Sequence, residues 1–224
     1  MSRLRNGRYE TKLLWKEGCN TLNSNYEVAE RRLISLNNKF RHDLHLYFRY
    51  KEIINEQLRD GIIEQVAFHG DCDRKIGYFM PHHAVVRESK ESTKVKIVYD
   101  ASSKVRDGQS LNDCLDSGPN LNPDLLRIIL RFRYHPIAFF ADIQRAFLEI
   151  GIAEEDRKFF QFLWRNEGGT ELDFNGRDIR ILRMIRVPFG VKCSPFILTA
   201  TIRLHLKKYA NSHSEVFYFE RTLC

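Results

Sequence analysis

Asp142 follows the apolar run Ile137, Ala138, Phe139, Phe140 and precedes Ala146, Phe147 and Ile150 at helix-like spacing. That pattern predicts a short buried strand, introduced by Pro136, with a carboxylate where the strand ends. A stiff sheet would hold that carboxylate in open space, where it can fix a metal ion. An aspartate there also caps the turn that follows, and on these residues alone both readings stand. Lys90 lies on a charged turn and Lys96 on the strand after it, so the two can converge on one anion. His82 and His83 are neighbours on a predicted strand and point to opposite faces, which argues against a shared metal. The five cysteines (Cys19, Cys72, Cys114, Cys193, Cys224) include no Cys-x-x-Cys pair. Their scatter predicts reduced thiols in an intracellular compartment and no zinc ribbon.

The elements that must position these residues follow from periodicity. Residues 1–25 mix Gly, Asn, Ser and charges and read as a flank or linker, strand-like near Lys12 to Lys16. Asn25 is placed to cap a helix from Tyr26 to about Leu36, with Ala29, Leu33 and Leu36 on one face. A second helix spans about His42 to Arg59 and turns Tyr47, Tyr50, Ile54 and Leu58 inward, with Gly61 as a left-handed stop. Tyr78 to Arg87 and Lys94 to Asp100 predict a hairpin around the charged turn Glu88 to Thr93. Ser102 to Pro123 is loop-like, and Asn122-Pro123 opens a helix to about Arg133 with Leu126, Ile129 and Leu130 inward. Beyond the Asp142 strand, Ala153 to Arg157 is a short acidic helical turn. Phe159 to Trp164 and Ile179 to Val187 then pair as antiparallel strands, with turns at Gly168-Gly169 and Asn175-Gly176. After Pro188-Phe-Gly190 a helix runs from Ser194 to Tyr209 with Ile197, Ala200 and Leu204 along one side, and Val216-Phe-Tyr-Phe219 begins a further element.

Composition narrows the classes. With 224 residues, 43% apolar and 12% aromatic, the chain can bury one sizeable core or two small ones. Arg127, Arg131 and Arg133 interrupt the best candidate for a membrane span. The basic N-terminus has no apolar segment behind it, so it does not read as a secretory signal. A net charge of +7 and a pI near 9.2 suit a polyanionic partner.

Taken in order, Tyr78-Phe-Met-Pro-His-His-Ala-Val, Lys94 to Ser103, Ser110-Leu-Asn-Asp113, Ala141-Asp-Ile and Val187-Pro-Phe-Gly-Val-Lys-Cys-Ser-Pro195 resemble a reverse transcriptase. The resemblance is closest to the BEL/Pao group of LTR retrotransposons and covers about Gly7 to Glu220. It implies an α+β right-hand polymerase fragment with fingers over 26–117, the first part of the palm over 118–150, more fingers over 151–190, and a palm helix with a truncated end over 191–224. It assigns Asp142 as the first catalytic, metal-binding aspartate, with the carbonyl of Ile143 as a further metal ligand. Phe147 becomes the aromatic that packs on the incoming sugar and obstructs a 2′-hydroxyl. Lys90 and Lys96 meet the triphosphate, and Phe189 and Gly190 lie under the templating base and incoming nucleotide. Arg87 and Lys192 face nucleic-acid phosphates. The implied partners are an RNA or DNA template with primer, a dNTP and the rest of a retrotransposon polyprotein. The implied reaction is nucleotidyl transfer with two Mg2+ ions, which suits a chemistry that needs positioning and charge neutralisation.

One departure stands beside these matches. The family completes its metal site with a Tyr-x-Asp-Asp hairpin soon after the helix that begins at Ser194, and these 224 residues contain none. The expectation is therefore a fragment truncated before the second catalytic motif, binding at most one Mg2+ and inactive as this chain. The alternatives are an enzyme completed by residues outside this sequence, and a non-catalytic nucleic-acid-binding or interaction module reusing the fold. The expected location is intracellular: a cytoplasmic retroelement particle with access to the nucleus, and no membrane.

Overall fold

The computed structural model describes residues 1–3, 7–19, 22–67, 70, 72–88, 93–134, 136–165 and 179–209. It is a mixed α+β arrangement of small sheets and helices. Helix α1 (Tyr26–His42) and helix α2 (Leu44–Arg59) are both amphipathic. They bury Ala29, Leu33, Leu36 and Phe40 from α1, and Leu46, Tyr47, Tyr50 and Ile54 from α2. Asp43 separates the two helices and caps the second, its side chain accepting from the Leu46 N–H at 2.9 Å. Gly61 takes the left-handed φ of +61° that stops α2. Asn25 does not cap α1 with its side chain. Its amide instead pairs with the backbone of Phe79 in both directions, each bond 2.8 Å. A buried peptide edge needs both its donor and its acceptor met, and Asn25 supplies both.

Strands β1 (Ser2–Arg3) and β2 (Tyr9–Thr11) are antiparallel, and β2 runs parallel to β6 (Gly151–Ile152). Strand β3 (Ile63–Val66) and strand β7 (Gln161–Arg165) flank β8 (Ile179–Met184) in a second three-stranded sheet. The expected hairpin is present as β4 (His82–Glu88) against β5 (Thr93–Tyr99), in register from His82↔Tyr99 to Glu88↔Thr93. Every residue of β7 is buried: Leu163 packs in one cluster with Ala29 and Leu33 of α1, and Phe162 and Trp164 pack in the main core with Tyr50 of α2. At the centre Trp164 stacks on Tyr50 with ring centroids 5.3 Å apart, and Phe40 meets both edge-on. Such aromatic pairs add to the stabilisation that burial alone supplies.

Residues 9–16, read from the sequence as flank, are built into this fold. Leu13 is buried, its N–H donates to the Asp156 carboxylate at 2.7 Å, and the Trp15 indole N–H donates to the same carboxylate at 3.1 Å. Trp15 also packs edge-on against Phe159. Long-range partners, which composition does not reveal, turned this segment into core.

The largest difference from expectation lies between helix α3 (Leu111–Cys114) and β6. Helix α4 (Leu125–Tyr134) forms, yet buries none of its residues, and Leu126, Ile129 and Leu130 face outward. The strand expected from Ile137 to Asp142 does not form, and Phe139 and Phe140 are each 91% exposed. A strand holds its shape through a neighbour's N–H and C=O groups, and no described strand lies beside this stretch. The last helix, α5 (Ser194–Tyr209), matches its expected bounds. Ile197 is buried in it, but Leu204 is 44% exposed rather than inward. Among the described residues no helix is long and apolar enough to cross a membrane. The turns at Gly168-Gly169 and Asn175-Gly176 and the segment Val216 to Phe219 lie outside the described residues.

Candidate functional site

The turn that follows Asp142 is set by Arg145, a non-glycine residue at φ +53°. Its guanidinium donates to the Asp60 carboxylate at 2.8 Å, and its carbonyl accepts from the Leu148 N–H at 2.7 Å. Those bonds hold a left-handed conformation that is otherwise unfavourable for a side-chain-bearing residue. The chain then makes one 3-10 turn, Ala146–Glu149, which sets Phe147 half-buried against the core.

Phe189 comes from the far side of the sequence to meet it. The rings of Phe147 and Phe189 lie 4.3 Å apart at 58°, and Phe189 keeps 68% of its surface exposed. The loop bearing Phe189 is fastened at three points. Ser194 donates its hydroxyl to the Pro188 carbonyl at 2.8 Å. Asn112 donates its side-chain amide to the Gly190 carbonyl at 3.0 Å and accepts from the Lys192 N–H at 2.8 Å. Gly190 sits at φ +88°, and a Cβ there would come within 3.2 Å of the Tyr99 carbonyl oxygen, so glycine suits this place on both counts.

Asn112 was not singled out by sequence reasoning, although its motif was. It rides on α3, whose start is a capping box: Ser110 Oγ accepts from the Asp113 N–H, and the Asp113 carboxylate accepts from the Ser110 N–H. The Ser110 backbone bond, then the Ser110 side chain, then Lys104 hold the Asp113 carboxyl down near about 2. The Ser-x-x-Asp spacing is visible in the sequence, but the loop that Asn112 grips is not.

The remaining candidates are distributed as follows. Asp142 and Ile143 are exposed, and Ile143 lines an apolar cavity of about 410 Å³ with Tyr9, Leu198, Ile202 and His205. Lys96 is exposed on β5, opposite Val85 in register. Lys192 is exposed beside the Gly190 loop. Arg87 lies on β4 opposite Lys94, but its side chain, and Lys90 altogether, lie outside the described residues. The structure thus brings Phe147, Phe189 and Gly190 to one place.

His82 and His83 do face opposite ways, one buried and one exposed. Leu163 offers His82 Nε2 only a carbonyl, at 2.8 Å, so Nε2 carries the proton and Nδ1 accepts from the Tyr50 hydroxyl. Burial lowers the His82 pKa to about 4, against the opposing pull of the Leu163 carbonyl. A neutral, fully bonded imidazole of this type is a core member and not a ligand.

Among the described residues, no group of three or more His, Cys, Asp or Glu side chains is set to hold a metal ion. Two Mg2+ ions about 4 Å apart require several carboxylates around them. The donor set at Asp142 therefore does not make a two-ion site from the described residues. What the arrangement offers is an aromatic pair beside a backbone-rich loop, with Lys192 nearby in sequence and the exposed Asp142 carboxylate before the turn. No protein-family model matches the chain, and no curated protein matches it.

Proposed function

We propose that the chain is a reverse-transcriptase-like nucleotide- and template-binding unit, a fragment of an RNA-directed DNA polymerase of BEL/Pao type. The observation that carries this reading is the meeting of Phe147 and Phe189 beside the left-handed Gly190. Two motifs about forty residues apart, each given a nucleotide-binding role by the resemblance, converge there. On this reading Phe147 shapes the sugar pocket, Phe189 and Gly190 support the base pair, and Lys90 and Lys96 neutralise the triphosphate. Arg87 and Lys192 face the phosphate backbone. These contacts bind and orient; the residues in hand carry no step that depends on the metal.

The test is equilibrium binding of a fluorescent dNTP to the chain on a template–primer. Phe189→Ala, at an exposed ring, is expected to weaken binding about tenfold, in line with aromatic stacking on a base. Unchanged affinity would remove the aromatic pair from the site. Template–primer binding should fall with salt at a log–log slope near −0.7 to −0.9 per phosphate neutralised.

A second reading, a binding module with no catalysis, is favoured by Asp142 belonging to no group of three or more metal-binding side chains among the described residues. Primer extension separates the two. The chain as given is expected to extend no primer on either reading. Joining a Tyr-Val-Asp-Asp hairpin with the downstream palm and thumb should confer extension, lost again on Asp142→Asn, only if the polymerase reading holds.

A further inference from the structure

The turn Ala146–Glu149 borders a cavity of about 240 Å³ whose walls carry charge, from Arg8, Asp60, Arg145, Glu149 and Arg186. The N-terminal segment, the end of α2, the turn itself and the chain just after β8 each contribute to it. Two of the three guanidiniums are matched by carboxylates of the same cavity. Arg145 donates to Asp60 at 2.8 Å, and Arg8 lies 3.5 Å from Glu149.

Arg186 is the exception. Only 9% exposed, it donates through Nε to the Gly61 carbonyl at 3.3 Å. Among the described residues no acceptor or carboxylate pairs with its two terminal nitrogens. Its backbone is fixed, since Arg186 bridges to Gly151 and the Val187 N–H donates to the Ile150 carbonyl at 3.0 Å. Burial, then Arg8, lower the Arg186 pKa, with Glu149 opposing and Arg157 adding to the effect. A guanidinium stays charged all the same, so the cavity holds a buried cation with an open fork of donors. Such a charge is costly unless an anion meets it.

We propose that this cavity is a phosphate-binding site, in which the terminal nitrogens of Arg186 grip one phosphate group and Arg8 and Arg145 flank it. The planar fork of an arginine matches two phosphate oxygens at once. The volume takes a phosphate group with a short ester and is small for a larger ligand. Asp60 and Glu149 then choose among oxyanions. Each carboxylate keeps lone pairs beyond those its arginine uses and can accept the proton that hydrogen phosphate carries near neutral pH. Sulfate has no proton to give and meets only repulsion from them. The inference stands on the cavity alone and holds whatever Phe147 and Phe189 bind.

The test is isothermal titration of the full chain with inorganic phosphate, glycerol 3-phosphate and sulfate at matched ionic strength, beside thermal melts. Phosphate should bind saturably at one site per chain, and sulfate about tenfold more weakly. With phosphate about a hundredfold above its Kd, the thermal midpoint should rise by about 5–10 °C. Arg186→Gln should weaken phosphate binding about tenfold, and Arg8→Gln serves the same purpose should Arg186→Gln not fold. Tighter binding of glycerol 3-phosphate assigns the site to a terminal monoester, and tighter binding of phosphate to the free anion; either upholds it. Equal rises in phosphate and sulfate would mean that both act only as excluded salts, and would overturn the proposal. So would the absence of saturable phosphate binding, or an affinity unchanged in the folded arginine variant.

Discussion

Two apolar stretches of this chain meet opposite fates. Phe160, Phe162, Leu163 and Trp164 around β7 are at most 1% exposed, while Phe139 and Phe140 are 91% exposed. Both read from the sequence as strands, the one before Asp142 as a short buried one. β7 has β8 alongside it and two helices over it, whereas the stretch before Asp142 has no described strand beside it. An apolar side chain is driven out of water only if something else is there to receive it, so hydrophobicity states a demand and tertiary structure decides whether it is met.

The widest gap between the two regions should appear in stability. Trp164→Ala should cost about 3–5 kcal/mol in urea unfolding, as core aromatic truncations do. Phe139→Ala should change stability by less than about 0.5 kcal/mol, as exposed substitutions do. Equal costs at the two positions would mean that the exposed stretch is packed in solution.

The buried side also carries a pH dependence. His82 binds a proton near 6.5 when unfolded and only near about 4 when folded. Between those values the unfolded chain holds more protons, so stability rises with pH across the window. The His82 contribution is complete above about 6.5 and is lost as pH falls through about 4, a swing of roughly 3 kcal/mol. Urea midpoints followed from pH 4 to 7 should show that slope, and His82→Phe should flatten it. A slope that survives His82→Phe would assign it elsewhere.

The smallest effect on stability, and the sharpest on behaviour, belongs to the exposed side. α4 and the Phe139–Phe140 stretch each leave large apolar side chains exposed, of a kind that seldom stays bare in solution when it gathers into a patch. Phe139→Lys with Phe140→Lys should leave the melting temperature within a few degrees and lower self-association in sedimentation velocity. A chain that is already monodisperse before these changes would show that the surface is covered.

Periodicity and turn chemistry were enough for much of the architecture. Helix α1 runs on to His42, past its expected end near Leu36, but its start, helices α2 and α5, the β4–β5 hairpin and the Gly61 stop lie close to where spacing places them. Patterns of i, i+3, i+4 and left-handed glycines act over a few residues. The opposite facing of His82 and His83 follows in the same way from the two-residue strand repeat. Long-range partners were not legible. Asn25 bonds to Phe79, Asp156 binds Leu13 and Trp15, and Asn112 grips Gly190. Each of these depends on two segments arriving together, which no local pattern encodes. The same holds for the site: the residue types at Phe147 and Phe189 were readable, but their 4.3 Å approach was settled by packing. The sequence alone determined which residues prefer helix, strand or turn and which would rather leave water. Tertiary structure alone decided which of those preferences found a partner, because burial and hydrogen bonding are properties of pairs.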